Sequence, residues 1–121
     1  MKSKHIYLNL FLIDFPFTAI TSIIHRISGL MLFLIIPFCL YFFKLSIESE
    51  SAFETTKIII SQFHIKIIIY IVYLMFLYHL INGIKHMIMD FGFFESKEGS
   101  KKLSIASTAL VFIIYILSLI I

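Results

Sequence analysis

Long apolar runs separated by short charged stretches set the pattern of this chain. The first run extends from Ile27 to Phe43 with no charged residue inside it. A second covers about Gln62 to Ile84 and holds one charge near its start, Lys66, whose long stem can reach back to the headgroups. A third runs from Leu103 to Ile121. Crossing the hydrocarbon core takes about 20 mostly apolar residues as a helix, because every backbone polar group must be bonded within the segment. The predicted fold is therefore all-α and integral to the membrane. Residues 1–121 form one domain, with three transmembrane helices at approximately 22–43, 62–86 and 103–121. An N-terminal interfacial segment is expected before the first span. Pro16 has the fixed backbone suited to a first helical turn and Asp14 stands just before it, so the helix should begin near Pro16 in the headgroup layer. Pro37 lies within the first run, as prolines often do in membrane helices. The connections, about Lys44 to Lys57 and Lys85 to Lys102, read as short loops, and no internal repeat is present.

Composition agrees. Of the 121 residues, 60% are hydrophobic and 14% charged, against roughly 45–50% and about 25% in a soluble domain. A water-facing surface cannot absorb that excess, so lipid is the solvent for most of the chain. Lys2 and Lys4 precede a short apolar stretch, Ile6 to Ile13, but Asp14, Phe15 and Pro16 follow in place of a small-residue cleavage site. The N-terminus does not read as a signal peptide. Cys39 is the single cysteine, which excludes an internal disulfide. The ten Lys and Arg residues are scattered between apolar runs and form no basic face, so nucleic acid is excluded as a partner.

Ionisable residues inside a membrane are expensive and by default mark a site. Two stripes stand out. Ser22, His25, Arg26 and Gly29 follow i, i+3, i+4 and i+7 on the first predicted helix, which places them on one face. His79, Asn82, Gly83, His86 and Asp90 repeat that spacing on the second and extend it by a turn. The helices run antiparallel, so both stripes lie toward the inner side, with His79 about 9 Å inward from Lys85. A haem needs an imidazole for its iron, cations for its propionates and small residues against its flat macrocycle. His79 is deep enough to be the axial ligand, and Gly29 and Gly83 are small enough for close packing. His86, nearer the surface, suits a propionate or water. A quinone headgroup would use donors such as Ser22 and Arg26. Plainer roles exist for each. A membrane histidine also serves as an interhelical hydrogen-bond partner, and His25 and Arg26 also suit headgroup anchors. Asp90 fits a helix-end cap or an ion pair with Lys85 or Lys97. Met75, Met87 and Met89 read as packing residues, and Tyr70, Tyr73 and Tyr78 as packing or interface aromatics. His5 and His64 lie off the stripes. Arg26 favours the site reading: it is the lone arginine beside nine lysines, and a forked guanidinium answers a geometric demand that an unspecific anchor does not make.

At these residues the chain resembles a known family. Thr18-Ala-Ile-Thr-Ser-Ile-Ile-His-Arg-Ile-Ser-Gly29 is similar to the signature before the first span of the succinate dehydrogenase cytochrome-b subunits. His79-Leu-Ile-Asn-Gly-Ile-Lys-His-Met-Ile-Met-Asp-Phe-Gly92 resembles their second signature. The resemblance covers nearly the whole chain. It implies a membrane anchor in a four-subunit complex with a flavoprotein, an iron–sulfur subunit and a second small anchor, passing electrons from succinate to ubiquinone or menaquinone. The chain alone would not oxidise succinate. Carried over by position, His79 resembles one axial ligand of a bis-His b-type haem whose second ligand comes from the partner anchor. Ser22 and Arg26 resemble quinone-pocket residues. His25 and His86 resemble residues near the haem propionates, and Arg26, Gly29 and Gly83 complete the expected cofactor-binding set. Lys85 stands where many relatives have arginine, which implies a weaker or different propionate or phosphate contact there. Rival readings are a fumarate reductase anchor of similar architecture, a haem-free structural anchor, and a small transporter or channel. The last needs a polar path to the outer face, and neither stripe extends that far.

Orientation follows from the basic residues near the span ends. Lys2, Lys4 and Arg26 on the N-terminal side, with Lys85, Lys97, Lys101 and Lys102 after the second span, put seven of the ten on one side. The first loop balances Lys44 and Lys57 against Glu48, Glu50 and Glu54. The chain is therefore expected to be multi-pass with its N-terminus inside. Its expected location is the bacterial inner (cytoplasmic) membrane, with the mitochondrial inner membrane as the alternative. Alkaline phosphatase fused in the first loop or at the C-terminus should be active. Activity in the loop fusion with none at the C-terminus would contradict this topology.

Overall fold

The computed structural model describes residues 15–120. It consists of four helices: α1 (Phe17–Glu48), α2 (Glu50–Ser61), α3 (Phe63–Asp90) and α4 (Lys97–Ile120). Of these, α1, α3 and α4 are long and apolar enough to cross a membrane. At about 1.5 Å per residue, the 32 residues of α1 span roughly 48 Å, well beyond a hydrocarbon core of about 30 Å. Its ends therefore have length to reach into the headgroup layers. Pro16 is the N-cap of α1, one position before the first helical turn expected of it, and Pro37 sits inside the helix. Lys2, Lys4, His5 and Asp14 lie outside the described residues, as does Ile121.

The first connection differs from the loop expected there. α1 continues to Glu48, a single extended residue, Ser49, breaks the helix, and α2 starts at Glu50. The Ser49 hydroxyl accepts a hydrogen bond from the Ala52 amide at 3.1 Å, and Glu50 places negative charge in the first turn, where the helix dipole favours it. The same charged residues that made the stretch look like a loop are those of a short capped helix. The α3–α4 turn closes with Gly92 at φ +86°. Its amide donates to the Met89 carbonyl at 2.9 Å and the Phe93 amide to the Ile88 carbonyl at 3.3 Å, the paired bonds of a Schellman C-cap. Ser96 then caps α4 by accepting from the Gly99 amide at 3.0 Å.

Polarity is distributed inside out. Large apolar side chains face outward, with Phe33 and Phe38 at 70% and 67% exposure. The residues buried between helices include Thr21, Ser28, Asn82, Lys85, Ser104 and Ser107, with Leu77 and Val111. Lipid tails are as apolar as leucine, so apolar surface alone does not drive helices together; small residues and hydrogen bonds do. α3 lies against both α1 and α4. Thr21 meets Lys85 and Gly29 meets His79, whereas Asn82 meets Ser107, so both pairings are antiparallel.

One hydrogen-bonded seam joins the three spanning helices. The Tyr78 hydroxyl donates to the Thr21 carbonyl at 3.1 Å, and the Lys85 ammonium to the Thr21 hydroxyl at 3.3 Å. Asn82, fully buried, donates to the Tyr78 carbonyl at 3.1 Å and accepts from the Ser107 hydroxyl at 3.2 Å. Lys85 thus belongs to the interior of α3, not to the loop cations with which it was grouped. A double-mutant cycle of Asn82→Ala and Ser107→Ala on the detergent-solubilised protein should give a stabilising coupling of about 0.6 kcal/mol, the typical worth of such bonds in membrane helices. Additive effects would contradict a direct bond.

Candidate functional site

Three histidines converge where α1 crosses α3. The rings of His25 and His79 stack with centroids 4.3 Å apart and planes 5° from parallel. The His86 ring lies 5.1 Å from that of His25, tilted by 49°. This meeting follows from local rules. His79, Gly83 and His86 recur on one face of α3, and His25 with Gly29 on the facing side of α1. Gly29 provides the room, whereas a Cβ at Gly83 would make only ordinary contact. A Cβ at Gly29 would come within 2.7 Å of the His79 Cε1, and one at Gly83 within 3.4 Å of the His25 Nε2. The close approach that the sequence assigns to a macrocycle is, within this chain, made by the imidazole rings.

His79 is held by two groups of α1. Its Nδ1 lies 3.2 Å from the His25 carbonyl and 3.2 Å from the Ser28 hydroxyl. A carbonyl oxygen only accepts, so the first bond requires the proton on Nδ1. Nε2 then carries the lone pair and makes no hydrogen bond among the described residues. A histidine whose Nδ1–H is engaged by a backbone carbonyl is the usual form of a metal-bound imidazole, because that bond fixes both tautomer and ring orientation. The His25 Nε2 is buried with no hydrogen-bond partner. Among the described residues no group of three His, Cys, Asp or Glu side chains is arranged to hold a metal ion. The residues fit a single protein ligand to an iron already held by a macrocycle, not an ion held by this chain alone.

The α1 stripe divides in the structure. Thr21, His25 and Ser28 point into the seam, whereas Ser22 is half-buried and Arg26 exposed. Successive helical residues are rotated by about 100°, so Arg26 turns away from His25 toward the flank, with Ser22 one turn before it on the same flank. Asp90 ends α3 and is exposed. It forms no ion pair with Lys85 or Lys97: the ion pairs among the described residues are Lys57–Glu54 at 3.5 Å and Lys102–Glu98 at 2.8 Å. Lys85 points into the seam and gives its ammonium to Thr21, and Asp90, five residues on, lies about 140° further round α3. Tyr78 and Asn82 are interhelical hydrogen-bonding groups. Thr21, Ser28, Ser104 and Ser107 carry much of the seam although none stood out as a site residue. Their signal was the spacing of small hydroxyls, seven residues apart on α1 and three apart on α4.

Comparison with known proteins identifies the family. Residues 1–118 match the family model described as the succinate dehydrogenase/fumarate reductase transmembrane subunit. A protein of Coxiella burnetii named succinate dehydrogenase cytochrome b556 subunit is 38% identical over 98 residues, covering 79% of this chain and 78% of the relative. A succinate dehydrogenase cytochrome b560 subunit of Porphyra purpurea is 34% identical over 99 residues, covering 80% and 79%. One of Chondrus crispus is 34% identical over 84 residues, covering 63% and 62%. Three helices able to span a membrane and a match over nearly the full length agree: the chain belongs to the succinate dehydrogenase/fumarate reductase transmembrane subunit family, and is a membrane subunit of that enzyme complex.

Proposed function

We propose that this chain is the cytochrome-b anchor of a succinate:quinone oxidoreductase, contributing His79 as one axial ligand to a b-type haem and Ser22 and Arg26 to the quinone pocket. The observation that carries this reading is the state of His79: its Nδ1–H is spent on the His25 carbonyl and its ring is seated on Gly29, which leaves Nε2 free to bind iron. A second imidazole would come from the other small anchor subunit, with which this chain would share the haem. The haem, when bound, supplies a one-electron carrier beside the path from the iron–sulfur subunit to the quinone.

The other residues act by position and charge. His25 has a buried, unpartnered Nε2, which a propionate or its water would satisfy, and His86 stands beside it. Gly83 packs beside the His25 ring. The Lys85 ammonium, tied to Thr21, adds positive potential near the same edge. Arg26 is exposed on the flank of α1, where it faces what lies beside this helix. A guanidinium there polarises a quinone carbonyl with fixed donors, and Ser22, one turn earlier, adds a hydroxyl. Protons for the reduced quinone come from the inner aqueous phase. The named relatives are succinate dehydrogenase subunits, which supports oxidation of succinate as the working direction. Flavoprotein, iron–sulfur subunit and second anchor are the partners. The site is the inner leaflet of a bacterial cytoplasmic membrane, or of the mitochondrial inner membrane, with the N-terminus inside and ubiquinone or menaquinone as acceptor.

In the purified complex, Arg26→Leu should lower succinate:quinone reductase activity on the order of 100-fold, the usual cost of removing a preorganised donor. Succinate oxidation with an artificial dye should persist near the wild-type rate. Equal loss of both activities would contradict the role and assign Arg26 to assembly.

A further inference from the structure

The Ser28 hydroxyl occupies a position that the site described so far does not use. It lies 2.7 Å from the His25 carbonyl, to which it donates, and 3.2 Å from the His79 Nδ1. The same carbonyl lies 3.2 Å from that Nδ1. Carbonyl, hydroxyl and imidazole N–H therefore form a closed triangle between α1 and α3. Inside a helix the carbonyl of His25 already serves the amide four residues on, that of Gly29. With two lone pairs, one of them turned to the Ser28 hydroxyl, it has limited capacity left for a third donor. The Ser28 oxygen provides the second acceptor that the His79 N–H needs. Ser28 is 4% exposed, so bulk water has little access to this contact.

We propose that Ser28 is a positioning residue for His79, sharing its Nδ1–H with the His25 carbonyl and so setting the plane and the electron-donating strength of the axial imidazole. The inference rests on the reading of His79 as a haem ligand. Ring orientation is defined from three sides. Gly29 leaves space for the Cε1 edge, the stacked His25 ring covers one face, and Ser28 with the His25 carbonyl holds the Nδ1 corner. Packing alone leaves some freedom of rotation about the Cβ–Cγ bond, which tilts the ring plane; two acceptors on one N–H restrain it. An acceptor on Nδ1–H also raises the basicity of the opposite nitrogen, which favours the ferric state. Ser28 thereby holds the haem potential lower than a lone carbonyl would.

The test uses the complete complex and compares wild type with Ser28→Ala and Ser107→Ala. Ser107 is a control, because it donates a similar buried hydroxyl bond in the α3–α4 seam away from the histidines. Haem content should be retained in all three. Ser28→Ala should shift the midpoint potential of the haem to more positive values, and displace or broaden its low-spin electron paramagnetic resonance signal as the imidazole plane loses definition. Ser107→Ala should leave both unchanged. A Ser28→Ala complex with wild-type potential and resonance positions overturns the role of Ser28 while the haem reading stands. Equal shifts in Ser28→Ala and Ser107→Ala also overturn it, since general loosening of the bundle then suffices. A wild-type complex with no haem band overturns the haem reading, and the role of Ser28 with it.

Discussion

The hydrogen bond from the His79 Nδ1–H to the carbonyl of His25 organises the rest of the molecule. In hydrocarbon a buried polar group without a partner costs several kcal/mol, so an imidazole at that depth must find acceptors within the protein. The carbonyl of α1 is one, and reaching it draws α3 close enough for the ring to lie where only a glycine leaves space. The same bond decides which nitrogen keeps its lone pair. Tautomer and the direction of the free nitrogen are thus set at this contact, which is one of several that hold α3 against α1.

From that contact the seam extends in both chemical directions. Toward the N-terminal end of α1, Tyr78 and Lys85 converge on Thr21, tying a cation into the helix crossing beside the histidines. Toward α4, Asn82 links the Tyr78 carbonyl to Ser107. Each of these groups would be a liability facing lipid, and each is satisfied by a neighbour on another helix or turn. The His25 Nε2 is the buried side-chain exception among the described residues. It belongs to the ring that stacks on His79 and lies near His86.

How much of this was legible in the sequence depended on how loudly each residue speaks. Long charge-free runs announce membrane helices, and the helices with spanning character contain the expected stretches apart from Gln62, an N-cap, and the undescribed Ile121. His79 was legible because an imidazole in such a run marks either a site or an interhelical hydrogen bond, and the bond to α1 is visible in the structure. Ser28 and Thr21 were not, since a hydroxyl in a membrane helix can turn back to its own backbone without consequence, and only the partner helix shows that these do more. α2 was hidden by its charges, although Ser49 followed by Glu50 marks a helix start. Lys85 was counted with the loop cations because it lies near the end of a hydrophobic run; rotation, not depth, carries it inward. Treating Ser22, His25, Arg26 and Gly29 as one face was too coarse. A turn of about 100° per residue separates the histidine that enters the seam from the arginine that leaves it.

The most direct test of the account is the optical spectrum of the purified complex with and without the His79 imidazole. The wild-type reduced-minus-oxidised spectrum should show a low-spin b-type haem with two imidazole ligands. In His79→Leu that low-spin signature should give way to a high-spin one or to loss of the haem band. A His79→Leu complex that keeps the wild-type low-spin spectrum would contradict the account.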